Sequence, residues 1–327
     1  MIVVRTPLRI SFLGGGTDFP DYYRNHGGLV LSTAIDKYIY VIVKERFDNM
    51  IYVNYSRKEI VENVDEIQHE LVREAMQITG VKRGVEITTL ADVPSSGTGL
   101  GSSSTVTVGL LQALYSYSGK LVTAETLARN ACEIEIDRCN KPIGVQDQYI
   151  AAYGGFRAIS FEKDDVVTVS KLGLNDELIR RLNRNMMLFY TNITRPSESI
   201  LVEQRENISE REDRLAGLRE LAVQACDCLK NGDLSEFGNM LHNGWELKRG
   251  LASGVSNHDL DDLYNASRKA GAIGGKIAGA GGGGFLLLYA PLAAQDNVRS
   301  ALSHLRELPF LFERDGSRVV FDLGRSK

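Results

Sequence analysis

The sequence is poor in cysteine, and the four residues it has are badly placed for metal or redox chemistry. Cys132, Cys139, Cys226 and Cys228 form no C-x-x-C pair, which excludes zinc-ribbon and thioredoxin-like readings. Cys226 and Cys228 lie in a stretch, Leu218 to Leu229, that reads as a helix, so free helical thiols are expected. The five histidines are scattered without metal-ligand spacing, and neither H-E-x-x-H nor H-x-x-E-H occurs. Long apolar runs are missing too. Phe285 to Ala290 is only strand-sized, far short of the ~18 residues that a membrane span needs. Met1 to Arg5 carries no basic stretch leading into an apolar core, so no signal peptide is expected and the cytoplasm is the expected compartment. Nor is there excess positive charge: 38 Lys and Arg against 42 Asp and Glu give a net charge of −4. No global field recruits nucleic acid or an anionic membrane, although a local basic pocket for an anionic substrate remains allowed.

What is present is an ordinary globular composition over 327 residues, 43% hydrophobic and 24% charged, long enough for two domains. Strands are expected at Ile2–Val4 and Leu8–Leu13, across residues 29–47, at Ile51–Tyr55 and at Val85–Leu90, with short strands around Ser160–Lys171 and a last one at Phe285–Tyr289. Helical spacing marks Asp65–Thr79, closed by Gly80, then Ser103–Tyr117, Thr123–Cys139, residues 257–271 and a charged-then-apolar stretch, Arg205–Leu229, as one helix or two. Strands and helices mix without a regular βαβ rhythm, so the class is α+β. A boundary within 165–185 divides a first domain, 1–175, from a second, 176–327.

Three glycine loops carry the chemistry. The second, Pro94 to Thr105, follows a strand and opens a helix. Its glycines allow a tight turn with N–H groups facing inward, and the helix N-terminus adds partial positive charge. Its hydroxyls can cap the helix, bind phosphate or ligate Mg²⁺. A serine-capped helix after a flexible loop is the plainer reading, but three glycines and three serines at a strand–helix junction favour an anion cradle. It is not a Walker A loop, which requires G-x-x-x-x-G-K-S/T. The third loop, Lys276 to Phe285, formally contains G-x-G-x-x-G at Gly279, Gly281 and Gly284. It runs into a strand rather than a helix, which argues against a Rossmann dehydrogenase. Four consecutive glycines suit a backbone that approaches a ligand closely. The first loop, Gly14 to Asp18, follows Arg9, a guanidinium in an apolar strand that needs a carboxylate or an anionic site. Asp18 suits either an Asx-turn or a grip on ligand hydroxyls.

Together the three loops resemble the three signatures of the GHMP kinases, the family of galactokinase, homoserine kinase and mevalonate kinase. Thr6-Pro7-Leu8-Arg9-Ile10-Ser11-Phe12-Leu13-Gly14 is similar to the first, Pro94 to Ser103, with its Gly99-Leu100-Gly101-Ser102-Ser103, to the second and Lys276–Phe285 to the third. Glu133 to Gln148 resembles the stretch that holds a metal-binding Glu and, after a Pro and a Gly, a catalytic Asp. The resemblance implies an N-terminal domain like ribosomal protein S5 domain 2 and a ferredoxin-like C-terminal domain. It implies ATP with Mg²⁺ and a small-molecule acceptor meeting in a cleft, and it leaves the oligomeric state, a homodimer included, open.

By the same resemblance Asp147 is the catalytic carboxylate and Arg9 its partner, with Ser103 and Glu135 on Mg²⁺. Pro94, Ser96, Gly97, Gly99, Leu100, Gly101, Ser102, Ser103 and Ser104 hold the ATP phosphates. Gly15, Gly16, Thr17, Asp18, Gly281 and Gly282 meet the acceptor. Gly15 and Gly16 stand where galactokinases carry Glu-His, which argues against galactose. Gly14 to Phe19, Gln146-Asp147-Gln148-Tyr149 and Gly154-Gly155-Phe156 resemble the branch acting on heptose 7-phosphate at its anomeric hydroxyl. A sugar phosphate is thus the expected acceptor, with Arg195 or Lys248 on its phosphate. Other sugar 1-kinases, for fucose, an N-acetylhexosamine or galactose, are the alternative. A non-catalytic sugar sensor fits less well, because Arg9, Glu135 and Asp147 are all retained.

Overall fold

A computed structural model describes residues 1–94 and 97–323. In chain order the elements are β1 (Ile2–Leu13), α1 (Pro20–His26), β2 (Gly28–Glu45), β3 (Ile51–Asn54), β4 (Lys58–Val61), α2 (Glu70–Thr79), β5 (Val85–Ala91), α3 (Ser102–Tyr117), α4 (Ala124–Cys132), α5 (Gln146–Tyr153), β6 (Phe156–Phe161) and β7 (Val167–Lys171). There follow α6 (Asp176–Arg184), β8 (Met186–Tyr190), α7 (Ser197–Glu206), α8 (Glu212–Asn231), α9 (Leu234–Arg249), α10 (His258–Lys269), β9 (Gly274–Ile277), β10 (Phe285–Tyr289), α11 (Leu292–Ala301), β11 (Arg306–Glu307), β12 (Phe312–Glu313) and β13 (Arg318–Asp322).

Two sheets organise these elements. The larger runs β13-β1-β2-β5-β3-β4. The 18-residue β2 is long enough to pair also with β6 and β12. The smaller is antiparallel, in the order β11-β8-β10-β9. Mixed helices and strands on two sheets bear out the α+β class. Two late strands return to the first sheet: β12 pairs with Ala34 and Ile35, and β13 pairs with Ile2 to Arg5. Among the described residues no helix is long and apolar enough to cross a membrane.

Several local expectations need correction. Pro7 does not divide the first strand. β1 runs through it and absorbs the missing N–H with a register shift against β2 between Pro7 and Leu8. The helix expected from Asp65 begins at Glu70 after a 3₁₀ turn at Val64–Glu66. It closes on Gly80, whose φ of 77° lets its N–H reach the Met76 carbonyl. The helix expected over Thr123–Cys139 is capped by the Thr123 side chain but leaves α geometry at Glu133, where a π turn runs to Arg138. That wider turn carries Glu135 into the interior with none of its surface exposed. Of the charged-then-apolar stretch, read as one helix or two, Arg205 and Glu206 end α7 and Glu212 to Leu229 lie in α8.

One large core, including Leu8, Ile10, Val41, Leu110 and Ile150, lies under the first sheet and extends to Phe237 and Leu241 of α9. Trp245, Ile277 and Leu288 lead a second core beside the smaller sheet. Phe19 and Tyr22 pack on Leu215, Leu218 and Leu251 in a third cluster, which fixes α1 and the first glycine loop against α8. All four cysteines are free.

Candidate active site

The three glycine loops converge. The second and third pack backbone to backbone: a Cβ on Gly99 would lie 2.4 Å from the Ala278 carbonyl oxygen, and one on Gly279 would lie 2.5 Å from the Gly99 Cα. The Phe285 N–H also reaches the Thr98 carbonyl at 3.3 Å. Only residues without side chains allow this approach.

Arg9 stands where the loops meet. It is 5% exposed and grips Asp147 with two bonds, Nε to Oδ1 and Nη2 to Oδ2, both 2.6 Å. Its Nη1 donates to the Gly99 carbonyl at 2.6 Å, and its backbone N–H to the Leu100 carbonyl. A fork on a carboxylate fixes both groups in one orientation. Gly101 caps α3 at φ 77°, and a Cβ there would come within 3.3 Å of both Arg9 and Asp147. The first N–H groups of α3 have no acceptor within the helix and face the cleft, which suits an anion.

Two recesses open on this pair. One is lined by Gly97, Gly99, Gly101, Ser102, Ser103, Ser104, Arg195, Gly281 and Gly283. The other, about 540 Å³ including its open mouth, is lined by Ser11, Gly15, Gly16, Asp18, Gln146, Gln204 and Lys248. Arg9, Asp147, Gly279 and Ala280 border both. The chain thus holds two recesses with one ion pair between them.

Asp18 is buried and accepts from the Gly16 N–H at 2.9 Å and the Gln146 N–H at 3.3 Å. Burial, with repulsion from Asp147, pushes its pKa up despite those bonds. Glu135 is also raised by burial. It accepts from Ser103 Oγ at 2.5 Å and Gln148 Nε2 at 2.8 Å, while Lys141 Nζ donates to the same Ser103 hydroxyl at 3.1 Å. A carboxylate and a hydroxyl beside the cradle are hard oxygen donors of the kind Mg²⁺ takes. Among the described residues no cluster of three His, Cys, Asp or Glu could hold a metal, so an ion here needs phosphate oxygens and water as further ligands.

Lys248 lies in the last turn of α9, 6% exposed, and its Nζ donates to the Gly279 carbonyl. Burial first, then the nearby Arg9, pulls its pKa down to about 8, while Asp18 and Asp147 oppose the fall. Lys276, on β9, is buried and donates to the Ser11 and Phe12 carbonyls at 2.9 and 3.1 Å, tying the smaller sheet to the end of β1. Its pKa is driven well down by burial and by Lys248.

Not every expected residue reaches a recess. Thr17 is fully buried and spends its hydroxyl on the Gly14 and Leu29 carbonyls. Leu100 is core, Pro94 lies outside both linings, and Gly282 donates its N–H to Val255 while lining neither recess. Arg195 lines the cradle and Lys248 the recess, so the two are not brought together. Ser96 lies outside the described residues. Lys276, Ser11, Gln146, Gln148 and Gln204 were missed. The two glutamines were within reach of the sequence, because they flank Asp147 in the Gln146-Asp147-Gln148-Tyr149 segment already singled out.

Comparison with known proteins gives the family. Residues 60–155 match the GHMP kinase N-terminal domain and residues 225–306 the GHMP kinase C-terminal domain. The chain is 30% identical over 315 residues, 92% of its length and 93% of the relative's, to a D-glycero-alpha-D-manno-heptose 7-phosphate kinase of Campylobacter jejuni. It is 26% identical, over 86% of its length and 87% of the relative's, to a galactokinase of Pyrococcus furiosus. A crystal structure of a D-glycero-D-manno-heptose 1-phosphate kinase from Bacteroides thetaiotaomicron superimposes with a TM-score of 0.83 at 25% identity, covering 99% of this chain and all of the other. The chain belongs to the GHMP kinase family, with that family's two-domain fold. It is an enzyme, an ATP-dependent kinase.

Proposed function

We propose that the enzyme transfers the γ-phosphoryl group of ATP to the anomeric hydroxyl of a sugar, and that the sugar is D-glycero-D-manno-heptose 7-phosphate. The observation that carries the reading is the Arg9–Asp147 fork standing between the glycine cradle and the Asp18–Lys248 recess. Residues 1–175, completed by β12 and β13, supply the fork and the cradle. Residues from 176 onward supply Lys248, Arg195 and the third loop.

Phosphoryl transfer asks mainly for positioning and charge neutralisation. The Gly97–Ser104 backbone holds the nucleotide's phosphates, with Arg195 at the same cleft. Asp147 orients the acceptor hydroxyl and is placed to take its proton as the O–P bond forms. Arg9 holds that carboxylate in one orientation and faces the charge that develops on the moving group. Asp18 accepts hydrogen bonds from sugar hydroxyls. Among the described residues no carboxylate is in hydrogen-bond contact with Lys248, so a buried ammonium is left to meet an anionic part of the bound substrates. Ser103 and Glu135 would hold Mg²⁺, which neutralises phosphate charge when bound.

The test is a panel of acceptors with ATP and Mg²⁺, reading ADP release. Heptose 7-phosphate is expected to give a higher kcat/KM than unphosphorylated heptose, fucose or galactose. A higher value for a neutral sugar overturns the heptose-phosphate assignment and leaves the kinase.

A further inference from the structure

Three consecutive glycines open the first loop, and the backbone explains only two of them. Gly14 and Gly16 have φ of 83° and 102°, in the left-handed region, and a Cβ on Gly14 would also collide with the Leu29 carbonyl oxygen at 1.9 Å. Gly15 lies outside that region. A Cβ there would meet only Gln146 Nε2 and Ser11 Oγ, each at 3.6 Å, which is ordinary contact. Neither turn geometry nor packing demands glycine at position 15. What glycine does there is leave the floor of the recess open.

Both side chains that flank the opening carry a polar atom with no hydrogen bond. Ser11 Oγ and Gln146 Oε1 are both cut off from bulk water and have no hydrogen-bond partner. Gln146 turns its amide N–H toward Asp18, so its carbonyl oxygen is the end left over. Buried polar atoms without partners are rare, and Ser11 Oγ, unmet and beside Gly15, marks a place where a ligand's polar group belongs. A hydroxyl entering beside Gly15 can accept from Ser11 Oγ and from Gln146 Nε2, the two atoms that lie there. An apolar group can do neither.

The geometry points to Gly15 as the residue that sets the size of the acceptor, with Ser11 and Gln146 reading a hydroxyl in the space it leaves. This rests on the sugar-kinase reading above. It makes the acceptor a polyhydroxylated molecule bulky enough to fill the floor of the recess.

The test uses heptose 7-phosphate and L-fucose as acceptors with wild type, Gly15→Ala, Gly15→Thr and Ser11→Ala. The acceptor KM should rise from wild type to Gly15→Ala to Gly15→Thr, with the KM for ATP unchanged. Ser11→Ala should raise the acceptor KM by about tenfold, the loss of one hydrogen bond to a substrate hydroxyl. Because the Ser11 hydroxyl has no partner in the free enzyme, that variant should melt at or above the wild-type temperature, which a structural role would not allow. The inference is overturned if Gly15→Thr keeps the acceptor KM within twofold, if the KM for ATP rises in parallel, or if Ser11→Ala melts lower. If wild type phosphorylates neither acceptor nor any sugar in the wider panel, the sugar-kinase reading fails and the inference with it. If wild type does and the variants match it, the inference alone fails.

Discussion

Replacing Asp147 by Asn tests the site at its centre, because it removes one charge and almost no volume. The Arg9 side chain is 6% exposed and the Asp147 side chain 21%. Breaking a fully buried ion pair by removing one partner costs about 3–5 kcal/mol. Here the asparagine oxygen keeps one of the two 2.6 Å bonds, Arg9 keeps its bond to Gly99, and water reaches the partly exposed end. A loss of about 1–2 kcal/mol is therefore expected. At roughly 2 °C per kcal/mol for a chain of this size, melting should fall by ~2–4 °C. Turnover should fall much further, by at least ~100-fold or about 2.7 kcal/mol of activation free energy, since the group that orients and deprotonates the hydroxyl is gone. Steady-state ADP release and thermal melting on the same preparation give both numbers. Turnover near the wild-type value would remove Asp147 from the mechanism. A collapse in melting of more than ~10 °C would make the pair a structural strut instead.

Gly101→Val should weaken ATP binding more than acceptor binding by calorimetry, because the new side chain lands at 3.1 Å from Arg9 Cγ on a backbone held at φ 77°; unchanged ATP affinity in a folded variant would refute the cradle. Lys248 has its pKa pulled from an ordinary 10.5 to about 8, so folding is penalised below pH 8 and the penalty fades as pH rises from about 8 toward 10.5. Lys248→Met should therefore be more stable than wild type at pH 7, by at most about 3 kcal/mol in chemical denaturation, with the gap narrowing toward pH 10. The same variant should raise the KM for heptose 7-phosphate; equal stability and KM at pH 7 would show that the ammonium faces no anion.

The site was more legible than the frame around it. Gly99, Gly101 and Gly279 could be singled out because several backbones crossing one point need glycines, and glycine runs are visible in a sequence. Arg9 was visible as a charge in an apolar strand, and the structure gives it the carboxylate it required. Thr17 misled because a hydroxyl beside a loop reads the same whether it faces ligand or ties two carbonyls together. Lys276 and Lys248 were hard to value, because a lysine's burial depends on what folds over it from elsewhere. The Glu133–Arg138 π turn continues a helical pattern without a break, so its wider bore, which turns Glu135 inward, leaves no trace in periodicity. Likewise, nothing in Arg318–Asp322 names Ile2–Arg5 as its partner.

That last pairing bears on how the protein is made. Arg5 bonds to Glu313, 308 residues away, and β13 closes the edge of β1. While the chain grows, the outer edge of β1 stays open until residues 318–322 leave the ribosome, however early the rest of that sheet assembles. An uncovered strand edge invites pairing with other chains. The window of risk is therefore set by the time taken to synthesise the second half of the chain. Synonymous changes that slow translation of residues 176–323 should lower soluble yield without altering a single contact in the finished enzyme.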